Sequence, residues 1–486
     1  MELYFTGLAS VYEPEHVARI FYPGARPARH RPAHGADAVY LHGGRRAVLA
    51  AVRCAGRRAA CKIPLVPGAS DRDAEYAVCR GLFALLREFT GQNPPWGMLT
   101  GVRPVHLAHQ LLAKGLSEQA VADHFETRDF VSAGKVHRVL EIARRQQPVL
   151  ALSRPNSYSL YISIPFCPSR CSYCSFVSRT VAQSAGLIAP YVEALRRELA
   201  AIAALARRLG LRLETVYIGG GTPTAVSAAQ LQALMQTVAD EFDVPALREY
   251  TVEAGRPDCT DEEKLTVIKR MGATRISINP QTLSDEVLAA IGRRHTARDI
   301  IDCYHTARRV GHTSINMDLI AGLPRDTAAG FARSLQGVMA LKPENITVHT
   351  LTLKRASNLV IDHTPGSYGD VQQMLAACSV LDGAGYKPYY LYRQKGTLEN
   401  LENTGYTLPG HTGLYNVFIM EEVHTILSAG AGGSTKLVGP GGHIERVFNY
   451  KYPAEYLRGF GEMLARKQKV EEFYGKFADL DPQTSG

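Results

Sequence analysis

From residue 158 to residue 351 the sequence repeats one unit, a short apolar run followed by an amphipathic stretch with helical periodicity. The strand-like runs fall at 159–164, 215–218, 249–252, 275–278, 314–319 and 346–351, and the helical stretches at 187–209, 227–240, 260–270, 284–291, 297–309 and 327–340. In the first of these helices Val192, Leu195, Leu199, Ile202 and Leu209 make one apolar stripe among Arg and Glu. A strand followed by a crossover helix returns to the same end of the sheet, so successive strands must run parallel. This pattern predicts an α/β fold built on a six-stranded parallel sheet, curled or open. Ligands of such sheets gather at the carboxyl ends of the strands.

The flanks follow other rhythms. Residues 1–150 combine short strand-like runs at 38–41 and 47–52 with helical patterns from Asp73 onward and over 105–126 and 131–146. This predicts a small α+β domain and a helical connector, with the only tryptophan in a tight Pro- and Gly-rich segment at 96–104. Past residue 360 the alternation is lost, which predicts a C-terminal region, 361–486, that is mostly helical or α+β. The expected domains are therefore 1–150, 151–360 and 361–486. No apolar run approaches the roughly 18 residues that would cross a bilayer, and the opening MELYFTGLAS lacks the pattern of a secretory signal, so a cytoplasmic protein is expected. The net charge of +9 is not accompanied by a zinc-finger, single-strand-binding or helix-turn-helix pattern, which makes nucleic acid an unlikely partner.

Six of the nine cysteines are scattered; the other three, Cys167, Cys171 and Cys174, fall within eight residues directly after the first strand of the repeat. Nine in 486 are too sparse for a disulfide scaffold. Three thiolates at this spacing can hold three irons of a cubane cluster and leave the fourth open to a ligand. A zinc ion completed through the fold, or plain packing, would use the same residues.

Each later strand also ends on a chemical group. The second runs into Gly219, Gly220, Gly221 and Thr222, where missing Cβ atoms let a small polar ligand approach the backbone, or simply allow a tight turn. It is no phosphate loop, since the Lys-Ser/Thr ending is absent. The third ends at Glu253, an acceptor for a hydroxyl or an ammonium, or a solvated carboxylate. Arg275, Ser277 and Asn279 share one side of the fourth, ahead of Gln281, and Arg275 also suits a salt bridge inside the sheet. The fifth carries Asp318, followed by Ile-Ala-Gly322-Leu-Pro. A lone buried aspartate also fits a purely structural role.

Taken together, Cys-x3-Cys-x2-Cys with Tyr173 before the last cysteine, Gly-Gly-Gly-Thr-Pro, and Asp-Leu-Ile-x-Gly-Leu-Pro resemble the radical S-adenosylmethionine superfamily. The wider Ile-Pro-Phe-Cys context resembles its oxygen-independent coproporphyrinogen III oxidase group, in particular the coproporphyrinogen dehydrogenase (HemZ) branch. The resemblance implies a partial (β/α)6 barrel, a [4Fe–4S] cluster on Cys167, Cys171 and Cys174, and S-adenosylmethionine bound by Tyr161, Tyr173, Phe176, Gly219, Gly220, Gly221, Thr222, Glu253, Gln281, Asp318 and Gly322. It implies oxidative decarboxylation of coproporphyrinogen III propionates to vinyls through a 5′-deoxyadenosyl radical, giving protoporphyrinogen IX. A haem chaperone of the same group and another radical reaction on a tetrapyrrole are its alternatives. Propionates ask for cations and hydrogen-bond donors, and Arg293, Arg294, Arg393 and Gln394 are the substrate-binding candidates. A low-potential electron donor such as flavodoxin or ferredoxin is the implied protein partner. Three positions depart from the common pattern: Ser163 stands where many relatives have histidine, Gly255-Arg256-Pro257 where Asn-Pro is usual, and Asn279-Pro280 where Gly-Val is common.

Overall fold

The computed structural model describes residues 1–100, 103–175, 179–354, 357–361 and 368–477. The chain divides into two compact units, Met1–Ala143 with Tyr392–Glu402, and Arg144–Leu391 with Asn403–Gly486.

In the first unit a five-stranded sheet places Glu2–Thr6 between Arg26–Pro27 and Ala38–Gly43, and continues through Ala47–Cys54 to Arg57–Pro64. Alternation puts Leu3, Val39, Leu41 and Val52 on one face, where they meet Leu82, Phe83 and Leu86 of helix Asp71–Thr90. That helix starts where Ser70 accepts from the Asp73 amide and stops at Gly91, whose φ of +69° suits a residue without a side chain. Trp96 is fully buried; its indole N–H donates to Glu402 Oε2 at 2.7 Å, and Lys135 pairs with the other oxygen. Trp96 is thus anchored by a buried polar contact as well as by packing.

The second unit holds an eleven-stranded sheet. Its strands are β1 (Ser157–Ile164), β2 (Arg212–Gly220), β3 (Glu249–Glu253), β4 (Arg275–Ser277), β5 (Ile315–Ala321), β6 (Asn345–Thr350), β7 (Lys387–Arg393), β8 (Glu402–Thr407), β9 (Thr425–Ala429), β10 (Ser434–Val438) and β11 (Ile444–Phe448). The order is β7-β8-β6-β5-β4-β3-β2-β1-β9-β10-β11. Strands β1 to β6 are parallel neighbours in chain order, as the alternation predicts, and the set is flanked by β8 beside β6 and by β9 beside β1. Most of their residues are buried, as parallel strands covered by helices require.

The five strands past residue 360 continue the same sheet. β9 is a seventh parallel strand, paired with β1 from Thr425↔Tyr158 to Ala429↔Ile162. Buried Glu198, on helix Val181–Arg208, secures its end by accepting from the Gly430 amide (2.7 Å), Asn449 (2.8 Å) and the Tyr456 hydroxyl (2.8 Å), and by pairing with Lys467 at 3.0 Å. Gly430 has φ +92°, and a Cβ there would lie 2.4 Å from Ser163 O. Ser163 itself donates to Ala431 O at 2.9 Å, so this departure from the common histidine ties β9 to the cysteine strand. Among the described residues no helix is long and apolar enough to cross a membrane.

Candidate cofactor site at the strand carboxyl ends

The three thiols sit in the turn beyond β1. Cys167 ends a two-residue strand paired with Arg179–Thr180, and the Cys174 amide donates to Cys171 O at 3.1 Å, tightening the loop. None of the nine cysteines is in a disulfide. Donors surround the sulfurs. The Thr222 hydroxyl donates to Cys167 Sγ at 3.5 Å. Arg256 donates to Cys171 Sγ at 3.5 Å and to Ser169 O and Oγ at 3.2 and 2.9 Å. Buried Arg293 donates to Asn279 O at 2.7 Å and to the Tyr173 hydroxyl at 3.4 Å. Burial works to lower the Arg293 pKa, but its contacts with the Tyr173 hydroxyl and the Cys171 sulfur outweigh it and hold the guanidinium above its ordinary value. Burial, and then Cys171, push the Tyr173 hydroxyl up, so it stays protonated.

A loop of three thiols with two guanidiniums at Cys171 and a hydroxyl at Cys167 fits an anionic iron–sulfur cube, whose sulfurs attract such donors. Among the described residues no three His, Cys, Asp or Glu side chains converge where a single ion would sit, the geometry that the zinc reading needs.

The glycine run is stitched to this loop: the Gly221 amide donates to Ile164 O at 2.8 Å and the Thr222 amide to Phe166 O at 2.7 Å. A Cβ on Gly221 would lie 2.6 Å from Phe166 O, so the close approach demands glycine. Gly219 lies under Glu253, whose Oε1 would be 3.0 Å from a Cβ.

Glu253 and Asp318 titrate in opposite directions. The Tyr217 hydroxyl donates to Glu253 Oε1 at 2.6 Å. Burial nevertheless pushes Glu253 up to about 7; the Tyr217 bond and His349 lower it, while Asp318 adds repulsion. Burial also raises Asp318, but His349 at 3.7 Å and the Asn316 amide at 2.7 Å outweigh it and hold this carboxyl below its ordinary value. The rings of Tyr161, Tyr217 and Tyr415 stack beside them, with centroids 6.1 Å (Tyr161–Tyr217) and 4.6 Å (Tyr217–Tyr415) apart.

Gln281 has φ +67°, a left-handed conformation held by its amide on Asp318 O (2.8 Å) and its carbonyl under the Ile320 amide (2.9 Å). Its Oε1 is buried and lacks a hydrogen-bond partner among the described residues. A buried acceptor left this way costs about 1–3 kcal/mol. A donor on a bound ligand would satisfy it, which fits a cofactor carrying amino groups. Gly322, φ +87°, sends its amide to the Met374 sulfur at 3.2 Å.

Tyr161, Tyr173, Gly219 to Thr222, Glu253, Gln281, Asp318 and Gly322 thus all lie at the carboxyl-end strands and loops of the second unit. Phe176 lies outside the described residues. Arg294 is exposed beside buried Arg293. Arg393 and Gln394 belong to the first unit. Arg393 is buried over the Trp96 ring, 5.1 Å from its centroid, and donates to Leu99 O and Asn400 O. Burial lowers its pKa to about 10.

Residues 161–336 match the family described as the Radical SAM superfamily. The chain is 39% identical over 405 residues to the Bacillus subtilis oxygen-independent coproporphyrinogen-III oxidase-like protein HemZ, covering 81% of this chain and 80% of that one. It is 30% identical over 328 residues to the heme chaperone HemW of Lactococcus lactis, covering 66% and 80%. The solved coproporphyrinogen III oxidase HemN of Escherichia coli superposes with a TM-score of 0.52 at 23% identity, over 66% of this chain and 73% of that one, a likeness of fold. The chain belongs to the HemN/HemZ group of the radical S-adenosylmethionine superfamily, whose cofactors are a [4Fe–4S] cluster and S-adenosylmethionine.

Four residues of the site escaped the sequence reading. Tyr217 was within reach, because strand alternation puts it on the face of Gly219. His349 gave no such signal, since no residue of the 346–351 run stood out in the sequence. Arg256 was visible only as a departure from a motif. Tyr415, from helix Leu414–Met420, had none, since only the fold brings it to β2.

Proposed function

We propose that this chain oxidatively decarboxylates coproporphyrinogen III without oxygen, converting two propionates to vinyls to give protoporphyrinogen IX. The observation that carries this reading is the 39% identity, over four-fifths of its length, to a protein named oxygen-independent coproporphyrinogen-III oxidase-like. When bound, the cluster and S-adenosylmethionine supply the one-electron chemistry that removes a hydrogen atom from a substrate carbon. The chain's own residues bind, orient and exclude water. Cys167, Cys171 and Cys174 hold the iron. Glu253 and Asp318 would offer negative charge to the sulfonium and ammonium groups, and the Tyr217 bond to Oε1 restrains the Glu253 side chain. Gln281 Oε1 accepts from a cofactor N–H. The tyrosine stack keeps the floor of the site dry. Arg293 is committed to Asn279 O and Tyr173, so exposed Arg294 is the member of that pair that reaches a propionate. Per propionate the balance needs one electron from a low-potential carrier, one S-adenosylmethionine whose adenosyl group takes up the hydrogen atom, and one external one-electron acceptor for the electron left when carbon dioxide departs.

One specific observation favours a second reading: the match to a protein named heme chaperone spans 80% of that protein. Anaerobic incubation of the reconstituted protein with coproporphyrinogen III, S-adenosylmethionine and a reductant tests both. The expected products are protoporphyrinogen and two molecules of carbon dioxide per porphyrinogen. Stable stoichiometric haem binding with no turnover would move the assignment to the chaperone.

A further inference from the structure

Arg256 occupies a position where the motif of the group usually carries Asn-Pro, and it is 4% exposed. Five donor contacts account for its guanidinium. Nε and Nη2 clamp Asp258 at 2.9 and 2.6 Å, Nη1 and Nη2 reach Ser169 O and Oγ, and Nη1 also donates to Cys171 Sγ. His295 Nδ1 lies 3.6 Å from Asp258 Oδ1, the oxygen that also accepts from Arg256 Nε. Pro257 opens the short turn Pro257–Cys259 and limits the backbone next to the arginine. An arginine guanidinium is not deprotonated in proteins, so the cation held by these contacts is permanent.

We propose that Arg256 is a positioning residue that fixes the cysteine loop through Ser169 and sets the reduction potential of the cluster through Cys171. Reduction adds one electron, delivered by an external one-electron carrier that is oxidised by one electron, and no bond is made or broken. A fixed cation and an N–H donor on the ligand sulfur stabilise the added negative charge, which raises the potential. Lysine cannot reproduce the arrangement, because only the planar fork reaches a carboxylate, a serine and a sulfur at once. This inference rests on the cluster assignment and is independent of the substrate reading.

The test uses the full chain with Arg256→Gln, Arg256→Lys and Asp258→Asn, reconstituted anaerobically. Iron content is measured first, then the midpoint potential by redox titration followed by electron paramagnetic resonance, with no porphyrinogen present. Arg256→Gln is expected to shift the potential to more negative values, Arg256→Lys to restore part of the shift, and Asp258→Asn to shift it in the same direction by less. Wild-type potentials in the iron-loaded variants would overturn the proposal. If Arg256→Gln does not load iron, Arg256→Lys and Asp258→Asn decide: an unchanged potential in both overturns it, and a negative shift in either supports it. A wild-type protein with a reducible cluster and no porphyrinogen turnover would sink the substrate reading and leave this one standing.

Discussion

At the thiol loop, two guanidiniums close on the Cys171 sulfur; at the end of β3 and within β5, two carboxylates face a tyrosine hydroxyl and a histidine. Both regions are built on ends of the same parallel strands and both are largely buried. They differ in the sign of charge that burial leaves to be compensated. The loop holds cations that suit an anionic cluster, and the strand ends hold anions that suit a sulfonium and an ammonium. Within the second region the contrast recurs: Glu253, with a neutral donor, is pushed up to about 7, while Asp318, beside His349, stays below its ordinary value. A hydroxyl partner leaves a buried carboxylate titratable near neutrality, whereas an ionisable partner keeps it charged.

The sharpest way to break the contrast is to remove the thiol side. Cys171→Ala leaves two thiols on the loop and strips Arg256 of its sulfur. Iron content is expected to fall to background and S-adenosylmethionine cleavage to be abolished, measured as iron per chain and methionine released. Full retention of both would end every radical reading of the site. Arg293→Met is next. It deletes the donor to Tyr173 and Asn279 O without changing the sulfurs, and a partner of this kind is worth about 10–100-fold in metal affinity or activity. Iron retained against a graded chelator should fall in that range, while loss no greater than for an exposed Arg298→Met control would refute the role.

How much of this could be read from residues alone follows the same division. The alternation from 158 to 351 predicted β1 to β6 because each strand–helix unit is local; the cysteines, Glu253 and Gln281 follow or end their strands, while Asp318 lies within β5. The strand β9 was hidden, since Leu427 to Ser434 reads as a glycine-rich run and its register with β1 depends on Glu198, more than 220 residues away. Tyr415 was hidden for the same reason. Arg393 shows the converse limit. An arginine after an aromatic run looks like a ligand for a carboxylate, yet Leu99 O, Asn400 O and the Trp96 ring surround its guanidinium.

The carboxylate side can be sharpened by pH. A Glu253 pKa raised in the fold from about 4.5 to about 7 means that the unfolded chain ionises first. Stability is therefore undiminished below about pH 4.5, declines as pH rises toward 7, and is flat above it, with a total of up to ~3 kcal/mol from this group. Glu253→Gln should remove that segment of the slope in the ligand-free protein and unfold later than wild type at pH 8 but not at pH 4.5. Melting curves across pH 4.5–8 report it, and an identical slope in both proteins would show that Glu253 ionises normally.

The smallest expected effect isolates the hydroxyl that separates the two carboxylates. Tyr217→Phe removes one hydrogen bond, about 1 kcal/mol, and keeps the ring in its stack with Tyr161 and Tyr415. Because that bond lowers the Glu253 pKa, its loss moves the titration upward. If the ionised carboxylate is the form that holds the cofactor's cationic groups, S-adenosylmethionine affinity rises with pH through about 7 in the wild type. In the variant the same rise occurs at higher pH. The two proteins should thus differ several-fold in affinity near pH 7 and converge toward pH 9, read by equilibrium binding of S-adenosylmethionine. A uniform loss at every pH would instead mean that Tyr217 acts on the packing of the site, and the contrast between Glu253 and Asp318 would then have to come from His349 alone.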